Sequence, residues 1–397
     1  MNVLLLISQL PYPPDTGAKI RTFNLIKNLY KRHSITLVSF GDYDKEKDKI
    51  IRLKQFCEKI ELVPKKQIND YIFAFKNLFS RYPYSVSKYY TNEMKSRISN
   101  LLQADNFDLI HCDSIQVSLN ILKFNSIPKV LTEHNIESQI LERLAQNEDN
   151  LIKKLYFYVQ YLKLKRYEIF ACKKFSRVIT VSEEDKRFLK NFIDEKNISV
   201  VPNGVDCSYF TPSKNGMKPH SLVFTGSMDW EPNNDAIFYF IKHIYPLIKK
   251  KVQEISFTIV GRDPSDALIK LASKDKSIEL TGRVDDVRPY IANSCLYIVP
   301  LRIGGGTRLK ILEAMAMGKT VISTSIGAEG LEVTSEENII LADEPQVFAK
   351  RALELFENNN LRKNIESSGR KLTEQKYSWD IIADKLGETW EAVGIKK

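Results

Sequence analysis

The chain has 397 residues and 45.8 kDa, with 43% hydrophobic and 27% charged residues, enough for two ordinary globular domains and far from the composition of a disordered protein. No run of about 18 uncharged apolar residues occurs, which excludes a spanning helix, and five scattered cysteines, Cys57, Cys112, Cys172, Cys207 and Cys295, give neither a zinc spacing nor a disulfide framework. The net charge of +10 is confined to one half: residues 1–200 carry 33 Lys and Arg against 23 Asp and Glu, whereas residues 201–397 carry 26 against 26, a polarity that favours an anionic partner such as nucleic acid, a phospholipid surface or a phosphorylated substrate.

Met1 to Leu10 is apolar but lacks a basic start and a small-residue cleavage site, so it reads as a buried first strand with the mature chain starting at Met1, and the cytoplasm is the default compartment. Asn2–Gln9 is a continuous apolar run, as in a strand covered on both faces. A Pro-rich turn ending in Gly17 follows, and residues 18–32 place Ile20, Phe23, Ile26 and Leu29 on one helical face. Further strands are expected at Ile35–Phe40, Ile60–Pro64, Phe107–Cys112, Lys129–Glu133 and Arg177–Ser182, separated mostly by helix-length stretches. This is the rhythm of a parallel, doubly wound sheet. VPNGVD and the polar stretch TPSKNGMKPH interrupt it as a linker. A second series then runs through Leu222–Thr225, Ser256–Val260, Ile278–Thr281, Leu296–Pro300 and Val321–Thr324, and the chain ends in helices, the last around Trp379–Val393. Two open α/β domains in tandem leave a cleft, and ligands in such sheets bind beyond the carboxyl ends of the strands.

The segment that carries most chemistry is PLRIGGGTRLKILEAMAMG. Gly304, Gly305 and Gly306 stand before a helix expected from Thr307 to Met317, so that backbone N–H groups at its start can approach an anion. Arg308 and Lys310 then fall in the first turn, where the macrodipole disfavours a cation by roughly 0.3–1 kcal/mol each. An anion seated against them would reverse that cost; otherwise they are an ordinary solvated basic pair. Glu313 lies in an otherwise apolar turn. Either it pairs with Lys310 at i−3, or its carboxylate accepts two hydrogen bonds from the hydroxyls of a ribose beside a bound diphosphate. Gly318-Lys319-Thr320 is not a P-loop, because Glu313 stands where its first glycine belongs and the tripeptide closes a helix. Asp42-Tyr43-Asp44 lies in a lysine-rich solvated run, so no metal site is expected.

At this point FTGSMDWEPNNDAI, FTIVGRD, LTGRVDDVRPYIANSCLYIVP and LRIGGGTRLKILEAMAMGKTVISTSIGAEGL, with VPNGVD, TVSEED and PYPPDTGAKIR, resemble glycosyltransferase family 4 (group 1) over essentially the whole chain. The resemblance implies a GT-B fold: two Rossmann-like doubly wound parallel-sheet domains facing a cleft, at 1–203 for the acceptor and 204–376 for the donor nucleotide, with a helix over 377–397 crossing back to the first. It implies a metal-independent, retaining enzyme of the hexosyltransferase type. No cofactor is expected, the substrate being a UDP- or GDP-linked sugar, and the acceptor a glycan or lipid-linked glycan in cell-surface polysaccharide or glycolipid synthesis.

Residue by residue, Glu313 matches the second acid of the family's glutamate pair, which binds ribose, while the first acid is replaced by Gly305. The Arg and Lys usual after the first donor-domain strand are absent from Gly226-Ser227-Met228-Asp229-Trp230, and Arg302, Arg308 and Lys310 are the candidates to replace them on the diphosphate. Gly226, Arg262 and Val284, with Thr307 beside the glycines, complete the expected donor site. His134, after the strand Lys129–Glu133, resembles the family histidine that faces the donor sugar and is the expected catalytic residue. Gly17 would let the first loop approach the diphosphate without a side chain in the way.

The basic half would meet the acceptor. Lys65–Arg97 and Leu151–Lys174 interleave lysines and arginines with aromatic residues, which suits either an interfacial helix on anionic lipid, at the inner face of the membrane, or aromatics in the core with lysines in water. Competing classes are a GT-B-fold sugar-nucleotide epimerase and a non-catalytic nucleotide-sugar binding protein. A nucleic-acid-binding protein fits the charge but lacks every recognition signature.

Overall fold

The computed structural model describes residues 1–65, 68–213, 216–303 and 308–394. They form two units, the first made of Met1–Pro202 with the chain's end from Ile382, the second of Asn203–Ile381.

The first unit holds strands β1 (Asn2–Ile7), β2 (Ser34–Phe40), β3 (Lys59–Val63), β4 (Leu109–Cys112), β5 (Lys129–Glu133), β6 (Arg177–Thr180) and β7 (Ile198–Val200). All pair in parallel, in the order β3-β2-β1-β4-β5-β6-β7. The run NVLLLI is buried from its second residue on because helices cover both faces of the sheet. The second unit holds β8 (Ser221–Thr225), β9 (Ser256–Val260), β10 (Ile278–Gly282), β11 (Leu296–Val299), β12 (Thr320–Ser323) and β13 (Ile340–Leu341), again all parallel, in the order β10-β9-β8-β11-β12-β13. Alternation along these strands builds two cores. Leu222, Phe224, Leu296 and Ile298 join one face with Phe240 and Phe348, and Val223, Tyr297 and Val299 join the other with Ile311 and Met315.

In each sheet the strand order reverses once, at β1/β4 and at β8/β11, and it is at such a switch point that an open α/β sheet leaves a crevice beyond its strand ends. The expected strands are all present. Two others, β7 and β13, are short edge strands of three and two residues whose apolar signal is too brief to read. The helix after the first loop is Gly17–Leu29, and it buries Arg21 and Leu25 beside the expected Phe23, Ile26 and Leu29. Among the described residues no helix is long and apolar enough to cross a membrane.

The last helix, Trp379–Val393, contributes its residues from Ile382 onward to the first unit. There Trp390 is buried edge-on against His33 and His111, and its indole N–H donates to His111 Nδ1 at 3.1 Å. Having accepted at Nδ1, His111 carries its proton on Nε2, 2.8 Å from Thr132 Oγ1.

Candidate functional site

In the second unit the chemistry collects beyond β8 and β11. The helix that was expected over Thr307–Met317 runs from Leu309 to Ala316, with Arg308 extended at its N-cap position, so Lys310 but not Arg308 lies in the first turn. Gly304, Gly305, Gly306 and Thr307 lie outside the described residues.

Lys310 Nζ donates to Asn233 Oδ1 at 2.8 Å and sits 3.9 Å above the centre of the Phe224 ring. Asn233, near the start of helix Glu231–Tyr239, also donates from Nδ2 to Ser227 O at 2.8 Å, so one amide holds both the lysine and the loop that leaves β8. That loop turns at Gly226, where a Cβ would stand 2.7 Å from Lys310 Nζ and 2.8 Å from Asn233 Nδ2. The space for the lysine is the space the glycine leaves. Behind it, a Cβ on Gly261 would fall 1.8 Å from Gly226 O, so the two loops after β8 and β9 touch backbone to backbone.

The electrostatics of this cluster are strained. Burial, and then the neighbouring Arg308, push the Lys310 amine down to about 7, against a smaller upward pull from Glu313. Burial pushes the Glu313 carboxyl up to about 7, with Lys310 opposing. The two do not form an ion pair: the lysine is committed to Asn233, and no described residue donates a hydrogen bond to Glu313. Glu313 is close enough to Tyr297, whose hydroxyl bonds Thr225 Oγ1, to raise that phenol further. An amine and a carboxyl held beside each other at the edge of ionisation make a site short of an anion for the first and of donors for the second.

Arg262 joins this cluster indirectly, donating from Nε to Ser227 Oγ at 2.8 Å, with Asp229 and Asp263 each 3.6 Å away. Arg302 is held by other partners than Lys310 is, on the same helix as Asn233. It makes a two-pronged pair with Asp235, at 2.5 and 3.2 Å, and lies 4.4 Å over the Tyr239 ring. Val284 packs on the core with Val287 and Tyr290.

In the first unit three elements converge on Asp113, which follows β4. His134, directly after β5, approaches its main-chain oxygen with Nε2 at 2.6 Å and its carboxylate at 3.5 Å, and Thr22 of helix Gly17–Leu29 donates to Oδ2 at 2.5 Å. Burial alone would raise the Asp113 carboxyl, but His134, His111 and the Thr22 hydroxyl outweigh it and hold the group below its usual range. Gly17 is the exposed first residue of that helix. Glu133 is buried, its carboxyl raised well above the ordinary value by burial and then by Glu168 and Glu137.

Arg308, Lys310, Glu313 and Gly226 are therefore brought together, with Arg262 at their border, and His134 stands with Asp113. Sequence reasoning missed Asn233, Phe224 and Gly261. The first contacts Lys310 across 77 positions, and nothing in local periodicity announces such a pair.

Comparison with known proteins bears on this geometry. A glycosyltransferase family 4 model matches residues 16–209, and a model of glycosyl transferases group 1 matches residues 219–358. The chain belongs to the family 4, group 1 glycosyltransferases. Across nearly its whole length this glycosyltransferase is 23% identical to a 44.6 kDa protein of the cps region of Klebsiella pneumoniae, covering 95% of this chain and 96% of that one. It is 26% identical to the UDP-Gal:alpha-D-GlcNAc-diphosphoundecaprenol alpha-1,3-galactosyltransferase of Escherichia coli, over 62% of this chain and 65% of that one. Its fold is GT-B: it superposes on HepE of Anabaena, solved with UDP, with a TM-score of 0.72 at 16% identity, covering 99% of this chain and 100% of that one. Sucrose-phosphate synthase of Thermosynechococcus elongatus gives the same TM-score at 15% identity, covering 99% and 98%.

Proposed function

We propose that this glycosyltransferase moves a hexose from a nucleoside-diphosphate sugar to a glycan or lipid-linked glycan acceptor in cell-surface polysaccharide or glycolipid synthesis, with retention of configuration and without a metal ion. The observation that carries the reading is the placement of the Lys310 amine, 2.8 Å from Asn233 Oδ1 in the space that Gly226 leaves, where burial depresses its basicity. A diphosphate placed there would restore its charge. The Glu313 carboxyl, one helical turn on, would accept from ribose hydroxyls.

As the bond to the leaving diphosphate breaks, negative charge accumulates on its oxygens, and a preorganised ammonium in a partly desolvated site stabilises that charge more than it stabilises the ground state. Lys310 and Arg308 supply this without a divalent cation in the reading proposed here. His134 is carried over from the family as the residue that faces the donor sugar, with Asp113 fixing its ring. Retention rests on the family alone. The relatives suggest the donor base: the E. coli relative uses UDP-Gal, and a Corynebacterium glutamicum relative, a mannosyltransferase 24% identical to this chain, is GDP-mannose-dependent. Their acceptors, a diphosphoundecaprenol-linked sugar and a phosphatidylinositol mannoside, are both lipid-linked, which favours work at the inner face of a membrane.

A thermal-shift panel of nucleoside diphosphates and their sugar conjugates tests this. One base is expected to raise the unfolding midpoint, because a ligand that binds only the folded chain stabilises it by about 2.7 kcal/mol at a hundred times its dissociation constant. Transfer from that donor, measured in chelator, is expected to persist. A panel with no shift, or shifts unchanged in Lys310→Met, would remove the site from the reading.

A further inference from the structure

Helix Leu151–Cys172 carries apolar residues on both its faces. Toward the fold it buries Tyr161, Leu164, Tyr167, Ala171 and Cys172 together with the polar Gln160 and Glu168. Toward solvent it shows Leu151, Leu155, Tyr158 and Leu162, spaced so that they share one face, and beside that face Ile152 and Phe170, with Leu151 80% and Ile152 82% exposed. The buried polar groups explain why the orientation is fixed. Gln160 accepts from the Tyr84 N–H at 2.9 Å and donates to Asn77 Oδ1 at 3.0 Å, Lys163 donates to the carbonyls of Asn77 and Leu78, and Glu168 accepts from Ser138.

Those same bonds tie a second element to the first. Helix Asp70–Asn77 and the turn after it expose Tyr71, Ile72, Phe75 and Phe79, again at steps of about one helical turn, with Tyr71 90% and Phe79 83% exposed. Between the turn and the long helix lies a groove of about 650 Å³, with Tyr82, Val159, Leu162 and Phe170 along it and Arg81 and Arg166 among its lining. Helix Leu151–Cys172 carries five Lys and Arg against a single acid, the buried Glu168, and exposed Lys76, Lys153 and Lys154 stand among the apolar residues of the two stripes.

Two exposed apolar stripes with a groove between their elements need a cover. The helix is too short in apolar residues to cross a bilayer. A second copy of the chain would bring one cationic face against another, whereas an anionic lipid surface satisfies the lysines and the apolar stripes at once. We propose that the first unit rests on an anionic lipid bilayer, burying the exposed stripes of helices Asp70–Asn77 and Leu151–Cys172 in the headgroup region. This deepens the proposed function by saying where a lipid-linked acceptor would be met, but it stands on surface geometry and not on the donor site.

Flotation of the full chain with vesicles of phosphatidylcholine, alone or mixed with phosphatidylglycerol, tests it. Binding is expected on the mixed vesicles, and Lys153→Gln with Lys154→Gln is expected to weaken it by roughly thirtyfold, the loss of two cations at an anionic surface. Tyr71→Ser with Phe75→Ser and Phe79→Ser is expected to abolish it while the unfolding midpoint and the nucleotide-sugar thermal shift stay unchanged, since these side chains are outside the core and outside the donor unit. Background flotation on both vesicles would overturn the proposal, as would an apolar variant that floats like the parent chain. So would a dimer, seen by light scattering, that the apolar variant dissociates. A failed thermal shift with intact flotation would count against the donor site alone.

Discussion

Lys310 and Glu313 are poised to exchange protons with solvent when a ligand arrives. The amine falls from an ordinary 10.5 to about 7, so between those values the unfolded chain binds a proton that the fold does not, and stability rises with pH across that window. The carboxyl rises from 4.5 to about 7, so between those values the fold holds the extra proton, and stability falls as pH rises. The ligand-free fold is therefore least favoured by this pair near neutrality. Binding of a nucleoside-diphosphate sugar, whose diphosphate does not titrate in this range, is expected to take up close to one proton at about pH 8, as Lys310 gains charge, and to release one at about pH 6, as ribose hydroxyls favour the Glu313 carboxylate. Calorimetry in buffers of different ionisation enthalpy reads both. Lys310→Met should erase the uptake and Glu313→Gln the release, and an uptake that survives Lys310→Met would place the diphosphate elsewhere.

The loops after β8 and β9 give a contrast between two glycines in contact. In Gly226→Ala the new methyl meets the ends of two side chains, Lys310 Nζ and Asn233 Nδ2, which can move; in Gly261→Ala it meets the main-chain oxygen of Gly226, which cannot move without its strand. Gly226→Ala, at a φ of +154° that side chains with a Cβ rarely adopt, is expected to cost about 1–3 kcal/mol of backbone strain and to weaken nucleotide-sugar binding about tenfold, equivalent to about 1.4 kcal/mol, by displacing the amine. Gly261→Ala is expected to lower the unfolding midpoint by an amount corresponding to about 3 kcal/mol or more of overpacking. Equal effects of the two on binding and on melting would show that the cradle is not organised around Lys310.

At this scale the limits of the sequence are visible. Apolar runs announced most of the strands, the helix start after three glycines drew attention to Lys310 and the family motif to Glu313, because all these signals are local. The start of helix Leu309–Ala316 was misplaced by two residues, and Asn233 was not found at all, because extended backbone at Arg308 and a side-chain bond to a helix in another part of the unit leave no periodic trace. The same holds for helix Leu151–Cys172. Apolar residues run all round it, and which of its faces is buried depends on the bonds of Gln160 and Glu168 to Asn77, Tyr84 and Ser138.

Over the whole molecule, the chain's end completes a unit built from its beginning. Trp390 fills a site formed by His33 and His111, and Gly387 brings the helix within 3.3 Å, at its would-be Cβ, of His33 Nε2 and Leu29. These partners all belong to the first unit, so Trp390→Ala is expected to cost about 3–5 kcal/mol there and to move only the first-unit transition if calorimetry resolves two. Acid should act on the same contact. Burial, chiefly, depresses His111 from 6.5 to about 4, and it must stay neutral to accept the indole N–H at Nδ1. Between pH 4 and 6.5 the unfolded chain therefore holds the extra proton, so first-unit stability is lost as pH falls through that window. Burial also lowers His33, opposed by Glu391 at 3.7 Å, and it adds to the loss in the same direction. Trp390→Ala opens both rings to water and should flatten this dependence as well as lower the midpoint. A variant that shifted the second-unit transition instead, or kept the parent's full acid sensitivity, would mean that the final helix does not close the first unit's core.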